Sequence, residues 1–486
     1  MREKIKQLEI IARGLDPDPA LRADWNRLVQ DYADGFLSSV AETPAYVETE
    51  DKGSGLLDWP VPEEGRDLSE LLAVLRENVD GPGLNPASGG HLAYIPGGGV
   101  YATALGDYLA AVTNRYSGIF FASPGAVRME NQLIRWMCRL VGYPDTALGN
   151  LASGGSIANL TAIATARDAR KVRAADIPNS PIYLTAQVHH SIQKALRIAG
   201  LGEAPLRYVR VDERFRMDLD DLRRQVAADR AAGLRPFLLV ASGGTTDTGA
   251  IDPLDELADL AQREDLWFHV DAAYGGFFLL APEVRADFKG IERADSITID
   301  PHKGLFLAYG TGALLIRDVA ALRDTHYYLA NYMQDTIGAD AELSPADLSP
   351  ELTKHFRGLR MWLALQLYGV NTFRATLSQK LWLCRYFYQR VQQLGFEVGP
   401  PPELSVMIYR YRPPQGDVDA FNRRLVDEVR RDGRVFLSST SIDGVFWIRL
   451  AVLSFRTDLS WIDRCLGVLE EKVVLLLTNE QSRMPS

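Results

Sequence analysis

From about residue 86 to about residue 375, apolar runs of strand length alternate with helical stretches, and this alternation limits the chain to few architectures. The runs lie around Leu184, over Pro236 to Ser242, Leu266 to Asp271, Ser296 to Asp300 and Gly312 to Arg317. Strands joined by helical connections predict an α/β fold with a mainly parallel sheet. The 85 residues before it hold a helical pattern at Trp25 to Val40, a middle rich in Pro, Gly and acids, and an amphipathic stretch from Leu68 to Val79. Such a segment has little core of its own and is expected to pack on a second subunit. After residue 375 come a long helical run (Phe373 to Leu394), alternating strands at Leu404 to Arg410 and Val445 to Leu453, and a closing helix from Trp461. Three parts follow: an N-terminal extension over 1–85, a large α/β domain over 86–375 and a small α+β domain over 376–486.

Composition narrows the function. The 486 residues carry a net charge of -10, with no basic face for phosphate backbones, so nucleic acid is not an expected partner. No apolar run approaches the roughly 20 residues of a membrane helix, and Met1 to Arg13 lacks the apolar core of a signal peptide. The expected location is cytoplasmic. Cys138, Cys384 and Cys465 are far apart in apolar surroundings and read as buried free thiols; no metal is expected.

Three motifs carry chemistry. Ser153-Gly154-Gly155-Ser156 runs straight into a helical pattern, and glycines before a helix N-terminus form a cradle that favours a phosphate. The strand Trp267-Phe268-His269-Val270-Asp271 ends in a carboxylate, and the carboxyl ends of strands in open α/β sheets form the ligand crevice. Within that strand His269 reads as a satisfied core histidine. The strand Ser296 to Asp300 leads into Pro301-His302-Lys303-Gly304, a lysine beside a histidine on a short turn, suited to an amine nucleophile. An anion site, a strand-end carboxylate and a strand-end amine are what pyridoxal 5'-phosphate requires.

The order Ser-Gly-Gly-Ser, Gln187-Val188-His189, Gly244-Thr245-Thr246, His269-Val270-Asp271-Ala272-Ala273-Tyr274 and Pro301-His302-Lys303 resembles the group II pyridoxal-phosphate-dependent amino acid decarboxylases, over roughly residues 25 to 475. The resemblance implies a fold-type I enzyme with a seven-stranded sheet that works as a homodimer on an L-amino acid. It further implies that Lys303 forms the imine with the cofactor, Asp271 bonds the pyridine nitrogen and His189 stacks on the ring. Gly155 and Ser156 would contact the phosphate, Thr246 and Ala273 would line the cofactor, and His302 would neighbour cofactor and substrate. His91 and Tyr94, in the segment HLAYIP with Pro96, match the family's substrate entrance, and Arg449 matches an arginine that meets substrate carboxylates.

Two departures bear on the reaction. The family's mobile loop carries a tyrosine that reprotonates Cα, yet Gln334 to Lys354 contains none. His355, His302 and Tyr332 are alternative donors, and Pro345, Pro350 and Gly338 suit a gating lid. Gly304 stands where aromatic-specific relatives have tryptophan, so the side chain of the substrate stays open. The expected reaction is decarboxylation to an amine. An aldehyde-forming oxidative variant and a non-catalytic cofactor-binding scaffold are the alternatives.

Overall fold

The structure is a computed structural model that describes residues 1–95, 97–328 and 342–481. Its centre is a seven-stranded sheet of β1 (Leu148–Ala152), β2 (Ile182–Thr185), β3 (Leu206–Val209), β4 (Leu238–Ser242), β5 (Trp267–Asp271), β6 (Ser296–Ile299) and β7 (Gly312–Ile316). The order across the sheet is β1-β7-β6-β5-β4-β2-β3. All neighbours are parallel except the two pairings of β7, which runs against β6 and β1. Every residue of β1, β2, β4, β5, β6 and β7 is buried, because both faces are covered.

Register sets where the chemistry falls. Ser242 on β4 pairs with Asp271 on β5, and Asp271 pairs with Thr298 on β6. The polar residues that follow these strands therefore emerge along one edge of the sheet, the crevice edge expected for this topology.

The remaining parts follow the sequence pattern in outline. Two helices, α1 (Arg2–Ala12) and α2 (Pro19–Ser39), open the chain, and neither contains a buried residue. Asp18 caps α2 by accepting from the N–H groups of Ala20 and Leu21, with Pro19 in the first turn. Further along, α3 (Tyr101–Thr113) and α4 (Pro124–Val141) precede the sheet, and α5 (Gly155–Ala169) follows β1. The long α6 (Arg357–Gln393) carries a non-helical break at Gly369 and runs through the expected joint at 375. Beyond it a four-stranded antiparallel sheet, in the order β8-β9-β11-β10, forms from β8 (Phe396–Val398), β9 (Val406–Tyr411), β10 (Ser438–Ile442) and β11 (Val445–Ala451). Of its elements β8, β10 and the helix Val418–Asp432 were not foreseen. This sheet has its own core of Phe387, Tyr409, Phe421, Ile448 and Ile462.

The stretch read as a lid behaves differently over its described half. Residues 334–341, with Gly338, and Tyr332 and Pro96 lie outside the described residues. From Glu342 to Lys354 the chain is a packed strap rather than an exposed loop. Glu342 pairs with Arg135 at 2.8 Å, the Ser344 hydroxyl accepts from the Phe120 N–H at 3.0 Å, and Pro345 and Leu348 are buried. Lys354, fully buried, pairs with Glu130 at 2.7 Å and donates to the Leu151 carbonyl at 2.9 Å. Pro345 and Pro350 suited an exposed lid, but partners on the large domain take up the charges of Glu342 and Lys354.

Candidate active site

A cavity of about 430 Å³ opens at the carboxyl ends of β4, β5 and β6, over the start of α5. Its walls include Gly155, Ser156, His189, Thr246, Asp271, Ala273, His302 and Lys303, so residues from five separate stretches of chain meet there. Lys303 sits on the one-turn helix Pro301–Gly304 directly after β6. Its ammonium lies 3.1 Å from Asp300 Oδ2, and Asp300 is only 1% exposed. His302 Nδ1 bonds the Thr311 carbonyl at 2.6 Å; a carbonyl only accepts, so Nδ1 carries the proton and Nε2 is bare, 3.8 Å from Asp300 Oδ2. Burial lowers the pKa of His302, against the raising influence of Asp300, which keeps the ring neutral.

Asp271 is 8% exposed. Its Oδ1 accepts from the Ala273 N–H at 3.1 Å and its Oδ2 from the Asn159 amide at 2.9 Å. The two donors hold both carboxylate oxygens in place. His189 Nδ1 lies 2.8 Å from the Ser191 hydroxyl and accepts from the Ser191 N–H at 3.3 Å. Burial also lowers the pKa of His189, with Asp271 opposing. His269 is buried and satisfied, as expected, and shares a face of β5 with Asp271.

The residues present fit pyridoxal phosphate. α5 begins at Gly155, where an added Cβ would lie 2.9 Å from Asp300 Oδ2 and 3.3 Å from the Ala273 side chain, so only glycine lets the helix N-terminus approach this closely. Asp300 Oδ1 and Gln187 Oε1 on the cavity wall have no hydrogen-bond partner among the described residues, which is what a wall built for a polar ligand presents. Lysine supplies the amine and Asp271 the acceptor for a ring N–H.

Three substrate candidates do not reach this wall. Arg449, on β11, donates to the Thr246 carbonyl at 2.8 Å, the Ser438 hydroxyl at 3.1 Å and the Tyr94 carbonyl at 2.9 Å. Its guanidinium thus ties the small domain to two loops of the large one. His91 is 1% exposed and packs edge-on to Tyr94, with ring centroids 6.2 Å apart, while Tyr94 itself is 56% exposed. Neither of these two lines the cavity. His355, weighed as a proton donor, lies 3.8 Å from Asp107, also off the wall.

Other wall residues escaped the sequence reading: Asn159, Ser191, Asp300 and Tyr309. Asn159 lies one turn into α5, on the face that packs on the sheet, and that spacing was the available signal. Gly304 does not widen the cavity. A Cβ there would meet Phe277 Cβ at 2.6 Å, so Phe277 already fills the space.

A family model, the pyridoxal-dependent decarboxylase conserved domain, matches residues 52–412. An aromatic-L-amino-acid decarboxylase of Bacillus atrophaeus is 35% identical over 82% of this chain and 84% of its own. A phenylacetaldehyde synthase of Petunia hybrida is 29% identical over 95% and 96%. Among solved structures, Oryza sativa TDC with PLP and tryptamine superposes with a TM-score of 0.89 at 25% identity, covering 95% of this chain and 99% of that one. The chain belongs to the pyridoxal-dependent decarboxylase family, and it is a pyridoxal-phosphate-dependent amino acid carboxy-lyase.

Proposed function

We propose that this enzyme converts an aromatic L-amino acid to its amine and carbon dioxide, with Lys303, Asp271, His189 and His302 as the catalytic groups, and that it works as a homodimer. The observation that carries the reading is the convergence of those four residues on one cavity beside the Gly155 cradle. The aromatic substrate rests on the names of the relatives.

When bound, pyridoxal phosphate supplies an electron sink for the charge that departing carbon dioxide leaves on Cα. Gly155 and Ser156 bind the phosphate at the N-terminus of α5, where free N–H groups and the helix dipole favour an anion. Asp271, with Asn159 behind it, holds the proton on the ring nitrogen. Thr246 and Ala273 line the ring, and His189 orients it and the leaving carboxylate. Lys303 anchors the cofactor, and the bare Nε2 of His302 stands ready to take the proton that the lysine gives up. The bonded guanidinium of Arg449 leaves it to hold the Thr246 loop rather than the substrate.

A second subunit accounts for the exposed apolar side chains of Ile5, Leu8, Ile10 and Ile11 on a helix with no buried residue. No helix among the described residues is long and apolar enough to cross a membrane, which suits a cytoplasmic enzyme.

One observation favours a second outcome at Cα. The stretch from Gln334 to Lys354 has no tyrosine, and an unprotonated Cα would be open to dioxygen, so that amino acid, dioxygen and one water would give aldehyde, carbon dioxide, ammonia and hydrogen peroxide. Mass spectrometry of products from the loaded enzyme with a panel of L-amino acids tests both. An aromatic amine supports the reading; an aldehyde with stoichiometric peroxide replaces it. Sedimentation at micromolar concentration tests the dimer.

A further inference from the structure

Behind the cavity runs a buried chain of hydrogen bonds whose two ends are chemically fixed. At one end the Trp267 indole N–H, which can only donate, lies 2.9 Å from Ser296 Oγ. Ser296 Oγ lies 2.8 Å from His269 Nδ1, and His269 Nε2 lies 3.1 Å from Asn159 Oδ1. The Asn159 amide nitrogen then lies 2.9 Å from Asp271 Oδ2 and 3.0 Å from Ser191 Oγ. At this end stands a carboxylate, which can only accept.

Each group between is able to donate or accept, yet the ends leave one assignment. With the Asn159 amide nitrogen on the Asp271 carboxylate, its Oδ1 faces His269 Nε2, which therefore carries the proton and donates. Nδ1 of the neutral ring is then bare and accepts the Ser296 hydroxyl proton, while Ser296 Oγ accepts from the indole. A flipped Asn159 would set its oxygen against Asp271 Oδ2, two acceptors facing each other, so its amide must point toward Asp271 and Ser191. Ser191, accepting from Asn159, gives its hydroxyl proton to His189 Nδ1, the nitrogen that also accepts from the Ser191 N–H. All five side chains from Trp267 to Ser191 are buried, with Trp267, Ser296 and His269 behind the cavity and Asn159 and Ser191 at its wall.

We propose that His269 is a positioning residue that aims Asn159 at Asp271 and, through Asn159 and Ser191, holds His189 in the tautomer protonated on Nε2. The inference rests on the functional reading only for what Asp271 and His189 go on to do; the relay itself belongs to the protein without cofactor. Burial lowers the pKa of His269 to about 4, so the ring is neutral at working pH and its partners decide which nitrogen holds the proton. The tautomer matters because a ring with Nδ1 already occupied has only Nε2–H to offer a bound carboxylate.

The test is a ring 15N–1H spectrum of cofactor-free protein labelled at its seven histidines, assigned with single His→Gln variants. His269 and His189 are both expected to show a protonated Nε2 and a bare Nδ1. In His269→Leu, which neither accepts from Ser296 nor donates to Asn159, the His189 signal should divide between tautomers. In the loaded enzyme kcat of that variant should fall roughly 10- to 100-fold, the loss typical of removing a supporting partner, with KM nearly unchanged. His269→Gln, whose amide can accept and donate at the same two places, should restore both the single tautomer and most of kcat. A wild-type His189 protonated on Nδ1 overturns the proposal, as does a His189 signal unmoved by His269→Leu. If that variant does not fold, the wild-type spectrum decides alone. Expected tautomers in a protein that decarboxylates no amino acid would leave the relay standing and sink the functional reading instead.

Discussion

Lys303 Nζ lies 3.1 Å from Asp300 Oδ2, one helical turn back along the chain, and the carboxylate is closed off from solvent. The pair keeps the amine at the cavity wall while its charge is balanced. Lys303→Ala should therefore lose the visible absorbance of the lysine-bound cofactor together with turnover, leaving Asp300 without its counter-charge. An absorbance titration with pyridoxal phosphate checks this; a surviving band would remove Lys303 from its place in the reading.

Asp271 should separate the two properties that Lys303 joins. Asp271→Ala leaves the amine in place but deprives the ring nitrogen of its acceptor, so the variant should still bind cofactor at Lys303 and show no measurable turnover. The same titration, paired with carbon dioxide release, distinguishes this from loss of the fold.

The buried pair of Lys354 and Glu130 ties the strap to β1 and α4. Lys354→Met should cost about 3–5 kcal/mol, because it strands a buried carboxylate rather than merely removing an attraction. The double variant Glu130→Gln with Lys354→Met should recover part of that loss. Urea unfolding of the three proteins measures it.

Acid should destabilise the fold before it reaches ordinary carboxylates. Burial lowers His91 and His269 from 6.5 to about 4, so below pH 6.5 the unfolded chain takes up protons that the folded one refuses. Each histidine then withdraws up to about 3 kcal/mol as pH falls toward 4. Asp252 acts in the opposite sense: burial raises it to about 6, so the folded state holds its proton first and gains stability over part of the same range. Burial likewise lowers His189, His302, His326 and His355 and raises Asp295 and Glu403, so six histidines stand against three carboxylates and a net loss is expected between pH 6.5 and 4. Urea midpoints across that range should fall, and His269→Gln should flatten the slope.

Legibility followed the kind of signal each residue leaves. The strands β2, β4, β5 and β7 stand out because burial on both faces makes them largely apolar runs, and β6 because Ile297 and Ile299 alternate with Ser296 and Thr298. β1, interrupted by Gly149 and Asn150, and the half-exposed edge strand β3 leave no such mark. Lys303, Asp271 and Gly155 are readable because each sits where a strand or helix ends, and the sheet brings those ends together. His91, Tyr94 and Arg449 depend on how the small domain docks, which no local pattern encodes. Asn159 carries little local signal because a polar residue in a helix ordinarily faces water, and its place follows from the tertiary contacts with Asp271 and His269.

The contact between Gly304 and Phe277 fixes the glycine that follows the lysine. A Cβ at position 304 would lie 2.6 Å from Phe277 Cβ, an atom that every residue but glycine at 277 retains, so shortening Phe277 does not make room for a side chain there. A smaller residue at 277 alone opens a void behind the lysine turn. The turn that carries Lys303 is therefore held by backbone spacing rather than by side-chain size, and a library that varies position 304 should return glycine whatever stands at 277, unless 277 is itself glycine.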